Sequence, residues 1–137
     1  MKSIGGYEFV EQAAVGSTGV VWRGRQVDLG RVVAIKELSP ELRSTPAGLA
    51  RFRAEAARLA ELDDEHVVKV YDYVETESGA FIIQEWVDGE SLEAVLQRIG
   101  RLSPEQAVGV LRGALLGLAA ASRMFVGLTS PCTKPRS

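Results

Sequence analysis

The residue that most clearly could take part in chemistry is Lys36, the lysine that ends the short apolar run Val33-Ala34-Ile35-Lys36. The run is typical of a buried strand. Side chains alternate between the two faces of a strand, so Lys36 shares the face of Ala34. A buried ammonium group without a partner is costly in free energy. We therefore expect Lys36 to have a carboxylate partner close by.

The segment from Pro46 to Leu62 predicts a helix that could supply this partner. At about 100° per residue its apolar side chains form one stripe, made of Leu49, Phe52, Ala56, Leu59 and Leu62. Glu55 falls inside that stripe and could pair with Lys36. It could also turn outward to Arg51 or Arg58 at helical spacing, an interaction that contributes only about 0.2–0.5 kcal/mol. The helix pattern alone fits both arrangements.

A glycine-containing turn precedes the lysine run and could contact phosphate. Tyr7 to Val10 and Val20 to Arg25 predict two strands, and the turn between them contains Gly16 and Gly19. Glycines let the backbone pass close to a ligand, and the N–H groups of such a turn can surround phosphate oxygens. A plain hairpin turn is the simpler interpretation of this loop alone. Val32 to Lys36 then predicts a third strand, which gives an antiparallel meander.

The composition limits the class of protein. The chain has 137 residues and 46% hydrophobic residues, which fits one ordinary core or a small part of a larger one. Its net charge of −2 gives no electrostatic sign of nucleic acid or anionic membrane as a partner. Cys132 is the only cysteine and His66 the only histidine, so we expect neither an internal disulfide nor a metal site, and a reducing, cytoplasmic location fits best. The longest apolar helical stretch, Ala114 to Ala121, is too short to cross a bilayer.

The later segments predict two more strands and two helices. Val67 to Tyr71 and Ala80 to Trp86 are the strands. Ser91 can cap a first helix, whose apolar residues Leu92, Val95, Leu96 and Ile99 share one face before Gly100 ends it. Ser103-Pro104-Glu105-Gln106 matches a capping box that begins a second helix.

Taken in order, the glycine loop, the Val-Ala-Ile-Lys run and the helical glutamate match motifs of protein kinases. The chain resembles bacterial serine/threonine protein kinases of the eukaryotic-like (Hanks) type over residues 7 to about 121. The resemblance implies an α+β, protein kinase-like fold. Its N-lobe would be a five-stranded antiparallel sheet with one helix of the αC type, followed by a hinge and the first two helices of a truncated C-lobe. Residues 1–88 would form the ATP-binding lobe with its hinge, residues 89–121 the start of the helical lobe, and residues 122–137 an irregular tail.

The same resemblance implies a role for individual residues. Lys36 would hold the α- and β-phosphates of ATP while Glu55 pairs with it, and Val21 would lie over the adenine. Gln84 would be the gatekeeper at the hinge. The remaining residues implied in nucleotide binding are Val15, Gly16, Gly19, Ala34, Glu85, Val87 and Ser91. Ala14 replaces the first glycine of the family's loop, which adds a methyl group near the phosphates.

The resemblance stops before the catalytic loop. Kinases continue with H-R-D-L-x-x-x-N, D-F-G and A-P-E, which supply the catalytic base and the magnesium ligands. These motifs are absent from the sequence. An ungapped alignment of Lys134-Pro135 with the lysine-proline of the family's catalytic loop places Cys132 on the aspartate of H-R-D. Chance explains this match of two residues at least as well as homology does. ATP is therefore the expected ligand, whereas the Mg²⁺ used by the intact family domain lacks its ligands here.

Three hypotheses about function follow. The chain is the front part of a kinase whose reading frame was broken near Ser122, with no phosphoryl transfer of its own. Alternatively, it is a short pseudokinase-like module that binds ATP or a partner kinase and regulates it. In the third hypothesis it is an interaction module that self-associates through exposed helix faces. Whether the chain is itself an enzyme stays open, and its partners would be ATP and a protein substrate or a second kinase.

Overall fold

The computed structural model describes residues 2–129, with side chains described as far as residue 122. This part of the chain forms one antiparallel sheet and four helices. It divides into two compact units. The first contains the residues up to Glu61 together with Val68–Val87, and the second contains Leu62–Val67 together with the residues from Asp88 onward.

The sheet belongs to the first unit and has six strands, one more than the sequence predicts. The strands are β1 (Ser3–Ile4), β2 (Tyr7–Val15), β3 (Gly19–Gln26), β4 (Arg31–Leu38), β5 (Val70–Thr76) and β6 (Gly79–Glu85). Their spatial order is β1-β2-β3-β4-β6-β5. The additional strand, β1, pairs with the start of β2 through a turn at Gly5 and Gly6, both with positive φ. Two residues are too few to show the alternating pattern by which a strand is predicted.

The largest differences from the predicted strand boundaries occur in β2 and β5. β2 continues to Val15 through two register shifts, which break its alternation of apolar and polar residues. β5 begins at Val70 instead of Val67. Asp64 explains the later start, since its carbonyl oxygen accepts the N–H of Val67 at 3.1 Å and its carboxylate accepts the N–H of His66 at 2.8 Å. These bonds hold residues 64–67 in a turn.

The first unit has a short helix, α1 (Pro40–Arg43), in addition to the predicted long one, α2 (Pro46–Glu61). The hydroxyl of Ser39 caps α1 by accepting the N–H of Leu42 at 3.3 Å. The single helix expected in this lobe is therefore corrected to two. With four residues, α1 is too short to show a helical period in the sequence.

Both faces of the sheet carry buried side chains in the first unit. One face forms a cluster in which Phe9 meets Trp22 and Phe81 edge to face, with ring centroids 5.4 and 5.8 Å apart. The buried members of this cluster are Ile4, Tyr7, Phe9, Val33, Ile35, Phe81 and Ile83. The opposite face packs against α2. The buried residues of this contact are Leu38, Ala80 and Ile82 from the sheet and Phe52 and Ala56 from α2. β4 and β6 are therefore buried on both sides.

The second unit contains α3 (Leu92–Ile99) and α4 (Pro104–Thr129). Ser91 caps α3 and Gly100 ends it, as the sequence predicts. Ser103 and Gln106 form the predicted capping box, because the side chain of each accepts the backbone N–H of the other, at 3.2 and 2.9 Å. Many apolar side chains of both helices are exposed, among them Leu92, Leu96, Ile99, Leu111, Leu115 and Leu118.

The irregular tail predicted to begin at residue 122 overlaps the end of α4. α4 continues to Thr129, so residues 122–129 are helical. No proline interrupts these residues, and the prolines that suggested an irregular chain, Pro131 and Pro135, come later. Residues 130–137, including Cys132, lie outside the described residues. Among the helices that the structure describes, none combines the length and apolar character needed to cross a membrane.

Candidate functional site

Lys36 and Glu55 form the ion pair that the sequence analysis proposed. Lys36 lies on β4 and Glu55 on α2, and the Lys36 Nζ donates to Glu55 Oε1 at 3.2 Å. The Lys36 side chain is 26% exposed and that of Glu55 is 44% exposed, so the ammonium group is less buried than expected. The ring of Phe52, one turn before Ala56 on the same helix, lies 6.0 Å from Lys36 Nζ. The pair therefore sits at the border of the α2 core, open to solvent and to a ligand.

The register of the sheet brings further predicted site residues beside this pair. Directly paired residues of antiparallel strands project to the same face. Lys36 pairs with Val21 of β3 and with Ile82 of β6. Ala34, two residues earlier on β4, pairs with Gln84 of β6. Val21, Ala34, Lys36 and Gln84 thus share one face of the sheet, where apolar surface lies next to a cation.

The glycine loop forms a tight turn between β2 and β3. The N–H of Gly16 donates to the carbonyl oxygen of Gly19 at 2.8 Å. Gly19 has φ +155°, and a Cβ there would overlap the carbonyl oxygen of Glu37 on β4. No atom lies within 4 Å of a Cβ built on Gly16. Gly19 is therefore required by the sheet itself, whereas Gly16 faces open space. Val15, immediately before the turn, is 67% exposed.

The end of β6 carries the predicted hinge residues. The N–H of Glu85 donates to the carbonyl oxygen of Lys69 at 2.8 Å, and the Glu85 carboxylate accepts the N–H of Lys69 at 3.1 Å. A contact from Glu85 to an adenine edge would therefore use its carbonyl oxygen. Val87 is 61% exposed. Ser91 lies in the second unit, where its hydroxyl caps α3 by accepting the N–H of Ala94 at 3.1 Å.

No group of three or more carboxylate, histidine or cysteine residues that could hold a metal ion occurs among residues 2–129. The polar groups on the lysine pair, the glycine turn and the hinge strand include the ammonium group of Lys36, the carboxylate of Glu55, the amide of Gln84 and backbone atoms. Such a set of groups suits a polyphosphate with an attached aromatic base.

A sequence profile of the protein kinase domain matches residues 7–126. The chain belongs to the protein kinase family.

Individual kinases show how far the similarity extends. The serine/threonine-protein kinase PknA of Corynebacterium glutamicum is 42% identical over 114 residues, which cover 80% of this chain and 24% of that protein. PknA of Mycobacterium tuberculosis is 39% identical over 112 residues, covering 78% and 26%. PknL of the same species is 37% identical over 124 residues, covering 90% and 31%. The chain thus spans about a quarter to a third of the length of these kinases.

A solved structure, the apo form of PpkA-294, confirms the fold. It aligns with a TM-score of 0.65 at 23% identity, over 72% of this chain and 41% of that one. The first unit is therefore a kinase-type N-lobe with six strands in place of the predicted five.

Sequence reasoning missed one polar cluster of this kinase lobe, which ties α2 to β5. Arg53 of α2 donates through Nη2 to both carboxylate oxygens of Glu75, at 2.9 and 2.8 Å, and the hydroxyl of Tyr73 donates to Glu75 Oε2 at 3.3 Å. The bond from Arg53 lowers the pKa of Glu75, and the same bond raises the pKa of Arg53. Burial, followed by the charge of Glu75, raises the pKa of Tyr73. Arg53 and Glu75 are 22 residues apart, so helical spacing could not reveal this contact.

Proposed function

We propose that this chain is the ATP-binding part of a serine/threonine protein kinase, which would transfer the γ-phosphate of ATP to protein serine or threonine. The observation that carries the proposal is the ion pair between Lys36 and Glu55, with 3.2 Å between Nζ and Oε1, in a chain of the kinase family. In kinases, catalysis requires this pair in order to position the phosphates. Since ATP is a cytoplasmic phosphate donor, we place its action in the cytoplasm.

Each group of the site has a role in this proposal. The ammonium group of Lys36 would bind the α- and β-phosphates, and Glu55 would hold that ammonium group in place. The N–H groups of the glycine turn other than that of Gly16, which is donated to Gly19, would contact the phosphates. Val21 and Ala34 would pack on the adenine, and the backbones of Glu85 and Val87 would bond its edge. Gln84, as gatekeeper, would line the inner end of the adenine pocket.

The chemical step needs groups that these 137 residues do not contain. Phosphoryl transfer depends on positioned metal ions and on a residue that orients the attacking hydroxyl. The motifs that carry those groups, H-R-D and D-F-G, are absent from the sequence. We therefore propose that these residues bind ATP and do not transfer phosphate by themselves. Mg²⁺ and a protein substrate would belong to a complete kinase domain.

The test is nucleotide binding by the 137-residue chain. A fluorescent ATP analogue should bind saturably and be displaced by unlabelled ATP, and Lys36→Met should weaken binding by about tenfold or more, since it removes the only charged phosphate contact proposed. Lys2→Met is the matched control, because Lys2 pairs with Glu37 on the opposite face of the sheet at 3.3 Å. Equal binding by wild type and Lys36→Met, or no binding by either, would contradict the proposal.

A further inference from the structure

We propose that Arg53, Glu75 and Tyr73 form a clamp that holds α2 in the position from which Glu55 reaches Lys36. Arg53 is two residues before Glu55 on α2, whereas Glu75 and Tyr73 lie on β5. The inference rests on the proposed function, because the position of α2 matters to the nucleotide only if Lys36 binds phosphate. The clamp would control the pairing of Glu55 with Lys36 through a contact between α2 and β5, which lies outside the nucleotide site.

The clamp has both polar and apolar parts. One nitrogen of Arg53 contacts both oxygens of Glu75, at 2.9 and 2.8 Å, and Tyr73 donates to the same carboxylate at 3.3 Å. The ring of Tyr73 also packs against Phe52, the neighbour of Arg53, with centroids 6.1 Å apart. Tyr73 therefore contacts the helix through its ring and the clamp carboxylate through its hydroxyl.

The geometry of the helix explains why this contact controls Glu55. Residues two apart on a helix point about 200° apart around its axis. The bonds from Arg53 to β5 and from Glu55 to β4 therefore hold α2 on two different sides. Phe52 and Ala56 are the buried side chains of α2, and Leu49 is a partly buried one that packs beside them. The hydrophobic effect is non-directional, so this small apolar contact opposes a small rotation of the helix less than directional bonds at fixed distances do. A rotation that separates Glu55 from Lys36 must also strain the bond between Arg53 and Glu75.

An ordinary exposed ion pair would behave differently. The side chains of Arg53 and Glu75 are 56% and 36% exposed, and such pairs commonly contribute little to stability. If this pair were only a surface contact, removing it would leave the environment of Lys36 unchanged. If it is a clamp, removing it would release the Lys36 ammonium group even though no atom near Lys36 is altered. The reactivity of Lys36 therefore separates the two cases.

The first experiment measures this reactivity in the absence of nucleotide. The 137-residue chain contains four lysines, Lys2, Lys36, Lys69 and Lys134, so limited acetylation followed by peptide mass spectrometry can follow each one. Glu75→Gln should raise the acetylation rate of Lys36 relative to Lys2 by about two- to fivefold, the range accessible to an exposed ion pair. Glu55→Gln removes the direct partner of Lys36 and should therefore give the largest increase in its acetylation rate.

The matched control is Glu8→Gln. Glu8 pairs with Arg25 at 3.6 Å and joins β2 to β3 without involving α2. It should leave the rate of Lys36 unchanged. An unchanged rate in Glu75→Gln, or an equal increase in Glu8→Gln and Glu75→Gln, would overturn the clamp.

The second experiment is a double-mutant cycle on ATP affinity. Glu75→Gln should weaken binding by about two- to fivefold alone and add no further loss to Glu55→Gln, because the clamp acts through Glu55. The exchange of Arg53→Glu with Glu75→Arg should restore part of the affinity. Additive losses in the cycle would overturn the clamp. If no variant and no wild type binds ATP, the proposed function fails, and the acetylation rates still decide whether α2 is clamped.

Discussion

Gly19 lies so close to the carbonyl oxygen of Glu37 that no side chain fits between β3 and β4 at this point. Gly16, three residues earlier in the same turn, has no atom within 4 Å of the place where a Cβ would be. The two glycines that the kinase motif treats alike therefore differ physically. One is fixed by the packing of the sheet, and the other faces open space.

Gly19→Ala should destabilise the N-lobe by about 1–3 kcal/mol, since it combines a steric overlap with backbone and an unfavourable φ. Gly16→Ala should change the free energy of unfolding by less than about 1 kcal/mol and instead weaken ATP binding. Urea unfolding and nucleotide titration of both variants give the comparison. Equal destabilisation by the two substitutions would contradict this distinction.

The carboxylate of Glu75 should make the stability of the lobe depend on pH in acid. Its pKa is lowered in the folded chain by the bond from Arg53, so its contribution is complete above the unfolded pKa and is lost as the pH falls through the folded pKa. Glu75→Gln should therefore be less stable than wild type at neutral pH, and the difference should shrink from about pH 5 downward. Urea midpoints over this range measure the effect.

Arg53→Gln is the matched variant for this titration. It leaves Glu75 in place and removes the cation that lowers its pKa. It should therefore converge with wild type over the same acidic range. A constant difference from wild type at every pH, for both variants, would show that the pair does not titrate as described.

The local features of the fold could be predicted from the sequence, because their causes lie within a few residues. The helix Pro46–Glu61 follows from its apolar stripe, and the bonds between Ser103 and Gln106 follow from a capping box. The pair of Lys36 and Glu55 could be proposed because Glu55 is a charge on an apolar face. Its partner remained ambiguous, since the choice between Lys36 and a helical arginine depends on how α2 packs on the sheet.

The features that were missed depend on contacts between distant segments or on short elements. The clamp joins Arg53 and Glu75 across 22 residues, and both residue types are ordinary on a protein surface. β1 has two residues, and its pairing with β2 depends on the turn at Gly5 and Gly6. Position 19 requires glycine because a side chain there would overlap the carbonyl oxygen of Glu37 on the next strand. The kinase motif explains this glycine by a ligand, and the contact with Glu37 could not be predicted from the motif.

Two glycines of α4 should respond differently to substitution. A Cβ on Gly117 would lie 3.0 Å from the carbonyl oxygen of His66, whereas no atom lies within 4 Å of one on Gly113. Gly113→Ala should stabilise the helix by about 0.5–1 kcal/mol, because alanine favours helix over glycine. Gly117→Ala should gain less or lose stability, since the backbone of His66 must shift. Thermal unfolding of the two variants, followed by circular dichroism, tests this difference.

The exposed apolar side chains of α3 and α4 should make the 137-residue chain self-associate. Leu96 of α3 is 38% exposed, and Leu111, Leu115 and Leu118 of α4 are 55–65% exposed. Leu111, Leu115 and Leu118 are spaced four and three residues apart, so they share one face of α4. An exposed apolar face of this kind favours association in water. Sedimentation velocity over a range of concentrations should show association for wild type. Leu111→Glu together with Leu118→Glu should reduce it, because the introduced charges would have to be buried in the contact.

The control for association is a charge added on the other unit. Val10 is 54% exposed on β2 of the first unit, so Val10→Glu changes the net charge of the chain by one and leaves the residues of α3 and α4 unaltered. It should leave the association unchanged. A wild-type chain that stays monomeric at all concentrations would contradict association through these helices. Loss of association in Val10→Glu would place the contact on the sheet instead. If ATP affinity is the same in the associating wild type and in the Leu111→Glu, Leu118→Glu chain, nucleotide binding and association are independent properties of the two units.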